Sequence, residues 1–232
     1  MQFRQKSFHE QYSKYQWIEL DLVKNERDFR PESYRPYSHE GEIKILGEIK
    51  ADGDDWYERR KTVLNKVHDN LSILISEAKD KSVYISLAVF KPKEIIDFKI
   101  EKEAEREWSP AKIASLQQLN LFEKITGNKK EVVRKLPYKF SYHFSDQTGR
   151  NATLMIEDWE VEMPYWNCLS RHEGNEAKAC EDVKKKYFDD FAKTKDLYLF
   201  LGTTYEFHMR APNPFVIIGT FHPKKISQLG LF

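Results

Sequence analysis

The sequence predicts an α+β protein with two similar halves, each a mostly antiparallel sheet carrying helices on one face. Three observations carry that expectation. Segments alternating apolar and polar residues are interspersed with segments of helical apolar spacing. Apolar residues make up 40% of the 232, enough for a substantial core. Short words also recur: "VFKPKEI" (89–95) and "TFHPKKI" (220–226) both close strand patterns, an Asp-Trp pair precedes helical sequence at 55–56 and at 158–159, and QLxLF pentapeptides lie at 118–122 and 228–232. No fixed period links the copies, so chance agreement between short apolar words stands beside duplication as the explanation.

In chain order, "QWIELDLV" (16–23) and "EIKILGEIKA" (42–51) alternate as strands. Between them "NERDFRPESYRP" (25–36) carries prolines and arginines among few apolar residues, which reads as a structured or a disordered loop. Asp55 can cap a helix with Glu58 in capping-box position, and Val63, Val67, Leu71, Leu74 and Ala78 form one stripe along it. "SVYISLAVF" (82–90) and "IIDFKIEK" (95–102) read as strands separated by a turn at Pro92. Residues 103–137 form a linker or excursion in which Ser109-Pro110 can start a short helix. The second half, 138–223, opens with "YKFSYHF" (138–144), turns at Thr148-Gly149 and enters a helical region near Asp158-Trp159 that Pro164 bends. A helix near 176–192 buries Ala179, Val183, Tyr187 and Phe191, and the strands "DLYLFLGTT" (196–204) and "FVIIGTF" (215–221) follow. The expected units are therefore 1–102, the excursion 103–137, the second half 138–223 and a tail, 224–232.

Charge and cysteine content exclude several classes. With 38 basic against 37 acidic residues the net charge is +1, so any nucleic-acid contact must use a local patch. Cys168 and Cys180 cannot build a disulfide framework, the start "MQFRQKSFHE" has no apolar signal region, and no apolar run is long enough to span a bilayer. These point to a reducing, cytoplasmic setting and no membrane partner.

The pentapeptides carry the main functional reading. An amide side chain followed by Leu, x, Leu, Phe offers three apolar anchors and one hydrogen-bonding handle, the makings of a groove-binding peptide. Gln228, Leu229, Leu231 and Phe232 resemble the peptide by which bacterial replication and repair proteins dock on the sliding clamp. That resemblance implies a bonded Gln amide and a pocket filled by the leucines and the phenylalanine. The partner is then a sliding clamp, or another protein with a peptide groove. Gln118, Leu119, Leu121 and Phe122 form the internal copy, although Ile113, Leu116, Leu119 and Phe122 also fit a small helix packed on the domain. If both copies bind, a ring with several pockets turns weak contacts into avidity.

Other sites are candidates on less. Glu42, Lys44, Glu48 and Lys50 share one face of an uninterrupted strand. The acid-x-lysine pairs resemble the Mg²⁺-binding half of restriction-like nucleases, with Asp21 or Asp28 as the further acid, although a solvated strand face with paired charges is the much commoner arrangement. Arg27, Arg30, Arg35, Arg59 and Arg60 can form a phosphate patch for DNA or RNA beside Tyr34 and Trp56, or a solvated charged loop. Asp158 and Glu160 suit a helix N-terminus. No zinc-type spacing, glycine-rich phosphate loop or nucleophile elbow is present, so no metal ligand set is assigned.

Two resemblances extend further. "NERDFRPESYRP", "IEDWE", "DLYLFLGTT" and "FVIIGTFHP" resemble an uncharacterised family of small prokaryotic proteins, which implies a self-contained domain and supplies no activity. A duplicated ferredoxin-like arrangement resembles one CRISPR-associated superfamily that binds single-stranded RNA, by analogy of fold alone. The expectation is an accessory protein recruited to DNA replication or repair. A Mg²⁺-dependent nuclease and an RNA or single-stranded-DNA binding module are the alternatives.

Overall fold

The computed structural model describes residues 12–38, 41–53, 56–114 and 134–225. The α+β class is as expected. β1 (Gln16–Glu19) pairs antiparallel with β4 (Lys44–Glu48), and β2 (Leu22–Lys24) pairs antiparallel with β3 (Tyr34–Pro36). These two ribbons form the N-terminal part. The body is built on a four-stranded and a three-stranded sheet.

One predicted helix is broken in two. Residues Tyr57–Val63 form α1, Val67–His68 form β5, and Leu71–Lys79 form α2. Val67 leaves the stripe to pair in parallel with Val89, where a β-branched residue gains a ladder partner. Asn70 then caps α2 by accepting from the N–H groups of Ser72 and Ile73 at 3.0 and 3.1 Å. Leu71, Leu74 and Ala78 are buried as the spacing predicts, whereas Val67 is exposed. Trp56, in left-handed conformation at φ 56°, precedes α1, and Asp55 lies outside the described residues.

The strands β6 (Leu87–Phe90) and β7 (Glu94–Lys102) are joined through Pro92, and β8 (Tyr138–Ser145) and β9 (Asn151–Met155) through a turn at Gly149, whose φ of 86° favours glycine. β10 (Tyr198–Thr203) and β11 (Phe215–Phe221) complete the set. The four-stranded order is β11-β10-β6-β5 and the three-stranded order is β7-β8-β9. Each sheet takes strands from both sides of the 103–137 excursion, so the expected halves are interleaved and are not separate sheets. A parallel bridge between Ile156 and Ile217 joins the two.

This topology accounts for the repeated words. β6 and β11 both run antiparallel to β10 and flank it, placing Phe90 opposite Leu199 and Phe221 opposite Tyr198. "VFKPK" and "TFHPK" thus finish at the same end of one sheet, in equivalent positions about β10. Both phenylalanines are fully buried, and each chain then turns away at a buried proline.

Three helical segments cover the three-stranded sheet. They are α3 (Trp159–Arg171), which contains Pro164, then α4 (Glu176–Lys184), then a π-helix, Lys185–Ala192. Ala179, Val183, Tyr187 and Phe191 are all buried. Spacing of four overshoots a full α-helical turn, and the wider π turns take back that drift, so the stripe stays on one face. Phe98, Phe140, Tyr142, Tyr165 and Tyr187 pack between sheet and helices, with Phe98 and Tyr187 stacked at 6.0 Å. The Tyr142 hydroxyl donates to the Tyr187 carbonyl at 2.6 Å, and the Tyr187 hydroxyl donates to the Glu160 carbonyl at 2.8 Å.

Candidate functional site

The loop 25–36 is ordered by its own chemistry. Asp28 is buried, and Arg30 grips it through Nε at 3.0 Å and Nη2 at 2.6 Å. The Arg30 hydrogen bonds, against the cost of burial, hold the Asp28 carboxyl far below its usual range. Arg30 Nη1 also donates to the Thr203 carbonyl at the end of β10, and Ser86 donates to Glu32. Phe29 sits against Tyr84 at 4.8 Å and His208 at 5.1 Å. His208 is itself buried, bonded through Nδ1 to Thr203 at 2.7 Å and through Nε2 to the Ala78 carbonyl at 2.6 Å. "NERDFRPE" is therefore a clasp that fastens the N-terminal ribbons to the body.

The five arginines do not form one patch. Arg59 stands over the Tyr15 ring at 4.0 Å and donates to the Ile49 carbonyl at 2.8 Å, while Arg60 pairs with Asp196 at 2.7 Å and donates to the Lys224 carbonyl. Arg30, Arg59 and Arg60 are thus engaged at three separate internal contacts. Arg27 and Arg35 are exposed, as is Tyr34.

The Glu/Lys strand is not the uninterrupted strand that the alternation assumed. Ile18 pairs with Ile45 but Trp17 pairs with Gly47, so Leu46 is an extra residue. Such a bulge reverses the alternation. Lys44 falls on the face of Glu19, which it pairs at 3.1 Å, and Glu48 on the opposite face, near Arg59 at 3.6 Å. Glu42 precedes the strand and Lys50 follows it, and Asp28 is committed to Arg30. Among the described residues no group of three or more His, Cys, Asp or Glu is placed to hold a metal ion. The proposed Mg²⁺ set is not assembled.

Asp158 caps α3 by accepting from the Glu160 N–H at 2.9 Å, the structural role expected of it. Burial pushes the Cys180 thiol up to about 11 and raises that of Cys168, which disfavours a nucleophilic thiolate in either.

Both pentapeptides, 118–122 and 228–232, lie outside the described residues. The last described residues before the second copy lie at the surface of the body. Lys224 and Lys225 are exposed, and Lys225 donates to the Lys193 carbonyl at 3.0 Å. The first copy is likewise flanked by surface. Lys112 donates its N–H to the capping Ser109 hydroxyl at 3.2 Å, starting a helical turn at 110–114, and the described chain resumes at an exposed Arg134.

At the root of that excursion is a cleft of about 270 Å³ that the sequence did not reveal. Trp108 and Trp166 line it with Arg106, Arg134, Lys135 and Glu176. Arg134 stands over the Trp166 ring at 3.9 Å. Glu176 accepts from Arg106 and, at 2.8 Å, from the Tyr138 hydroxyl. Its carboxyl is held below the usual range by the Arg106 bond first and the Tyr138 bond second. The cleft draws on both ends of the excursion, on α3 and on the start of α4, so no local pattern marks it.

Comparison with known families gives two matches. A domain of unknown function, DUF8757, matches residues 48–232, and a second, DUF8758, matches residues 1–65. No curated protein and no solved structure matches. The two matches overlap over residues 48–65, from the end of β4 through α1.

Proposed function

The chain belongs to the DUF8757 family, and from that premise we propose that it is a cytoplasmic accessory protein recruited to DNA replication or repair through QLxLF peptides docking on a sliding clamp. The observation that supports this most is the surface position of Lys224 and Lys225. Both are exposed, and Gln228 begins three residues beyond Lys225. A peptide launched from a surface can reach a groove on a partner without unfolding the body, and Leu229, Leu231 and Phe232 supply its apolar anchors. The internal copy lies in sequence between Ala114 and Arg134, both exposed, and engagement of both copies by one ring would add avidity. Among the described residues no helix is long and apolar enough to cross a membrane.

The test is competition. A synthetic peptide of sequence QLGLF should displace the full-length protein from the host's clamp, and Leu231→Ala with Phe232→Ala should abolish binding while the circular dichroism spectrum stays unchanged. Binding that resists both the peptide and the double substitution would refute the proposal.

A further inference from the structure

The cleft beside the excursion presents a combination found nowhere among the contacts of the arginine loop. Its two indole rings are both half-buried, so each keeps an accessible part. Arg134 stands over Trp166, its guanidinium carbon 3.9 Å from the ring centre. Among the described residues no carboxylate pairs with Arg134, so its charge is available to a ligand. Arg106 is fixed by Glu176, and Lys135 donates to the Glu105 carbonyl and lies 3.9 Å from Glu103. These contacts hold two further cations at the rim, each with donor positions to spare, because a guanidinium carries five N–H groups and an ammonium three.

The ligand chemistry follows from that inventory. Planar rings with a stacked guanidinium favour a flat π-system, and cations around them favour an anion attached to it. A nucleobase with its phosphates meets both requirements, and stacking on aromatic side chains needs an unpaired base. A volume of about 270 Å³ admits a single base and excludes a duplex, whose base faces are already stacked. We propose that the cleft between Trp108 and Trp166 binds single-stranded nucleic acid, stacking one base on the Arg134–Trp166 platform with flanking phosphates held by Arg106, Arg134 and Lys135. This site is distinct from the clamp-type peptides and stands whether or not they bind.

The test uses the full chain without any clamp. Fluorescence anisotropy would follow labelled oligo(dT), oligo(U) and a duplex of equal length. Single strands should bind with affinity that falls steeply as salt is added, and the duplex should bind at least tenfold more weakly. Arg134→Gln, at an exposed position, should weaken single-strand binding about tenfold without lowering the melting temperature, and Trp166→Ala should do so by a similar factor. Tighter binding of either oligo(dT) or oligo(U) supports the proposal and identifies the sugar. Absence of binding at about 100 μM protein, equal affinity for the duplex, or unchanged affinity in Arg134→Gln would each overturn it.

Discussion

Lys91 reaches Asp196 across the edge of the four-stranded sheet, with Nζ 2.5 Å from Oδ1. Lys91 follows β6 in the first FxPK word, and the backbone N–H of Asp196 donates to the carbonyl of Pro223 in the second, at 2.8 Å. One aspartate thus joins the two copies at the foot of β10, and Arg60 adds a third bond from α1 at 2.7 Å. Burial opposes its charge, yet the Lys91 and Arg60 bonds outweigh that cost and lower its carboxyl below the ordinary range. Asp196→Ala should destabilise the protein by about 1–3 kcal/mol, because two cations lose their partner. The sign of the pH effect follows from a lowered carboxyl: its contribution is complete above about pH 4 and is lost as the pH falls through the folded value. Urea denaturation at neutral pH and in acid measures both.

The clasp at Arg30 predicts a local effect. Arg30→Ala removes the Asp28 grip and the bond to Thr203, 173 residues away. The N-terminal ribbons should loosen while the body stays folded. Limited proteolysis should then cut within 25–36 at least tenfold faster, with the melting temperature of the body little changed. Unchanged protection would contradict this role of Arg30 and leave the loop held by Phe29 and the Ser86–Glu32 bond.

His222 sets a second pH dependence, in a higher window. It stacks on Phe191 at 3.7 Å beside Trp56, and burial first, then the charge of Lys14, pushes its imidazole down to about 4, against opposing Glu160 and Asp190. Between pH 6.5 and 4 the unfolded chain takes up a proton that the folded protein refuses. Stability is therefore full above that window and falls by about 3 kcal/mol through it. His222→Phe should flatten this slope in thermal melts from pH 7 to pH 4.5, and an unchanged slope would contradict the assignment.

Two buried tyrosines should respond differently to loss of the hydroxyl. Tyr142→Phe removes the bond to the Tyr187 carbonyl and should cost about 1 kcal/mol. The Tyr165 hydroxyl is buried with no hydrogen-bond partner among the described residues. Tyr165→Phe removes an unsatisfied group and should be neutral or stabilising by about 1 kcal/mol. Chemical denaturation of both variants decides it.

What was legible in the sequence was what neighbouring residues decide. β7, β8, β10 and β11, and the stripe Ala179, Val183, Tyr187 and Phe191, follow their apolar spacing. Long-range pairing decided the rest. Val67 left a helical stripe for Val89, and Leu46 became a bulge because β1 pairs on both sides of it. The repeated FxPK words signalled equivalence about β10, where two duplicated halves were expected. Arg30 looked like a phosphate ligand because its partners, Asp28 and Thr203, are fixed only by the fold. The Trp108–Trp166 cleft was invisible for the same reason.

The central claim is recruitment, and isothermal titration of the host's sliding clamp tests it most directly, using the full-length protein beside a version lacking residues 228–232. Recruitment predicts binding by the intact chain that is lost, or weakened at least tenfold, on removal of the pentapeptide. Equal binding by both versions, or binding by neither, would contradict it.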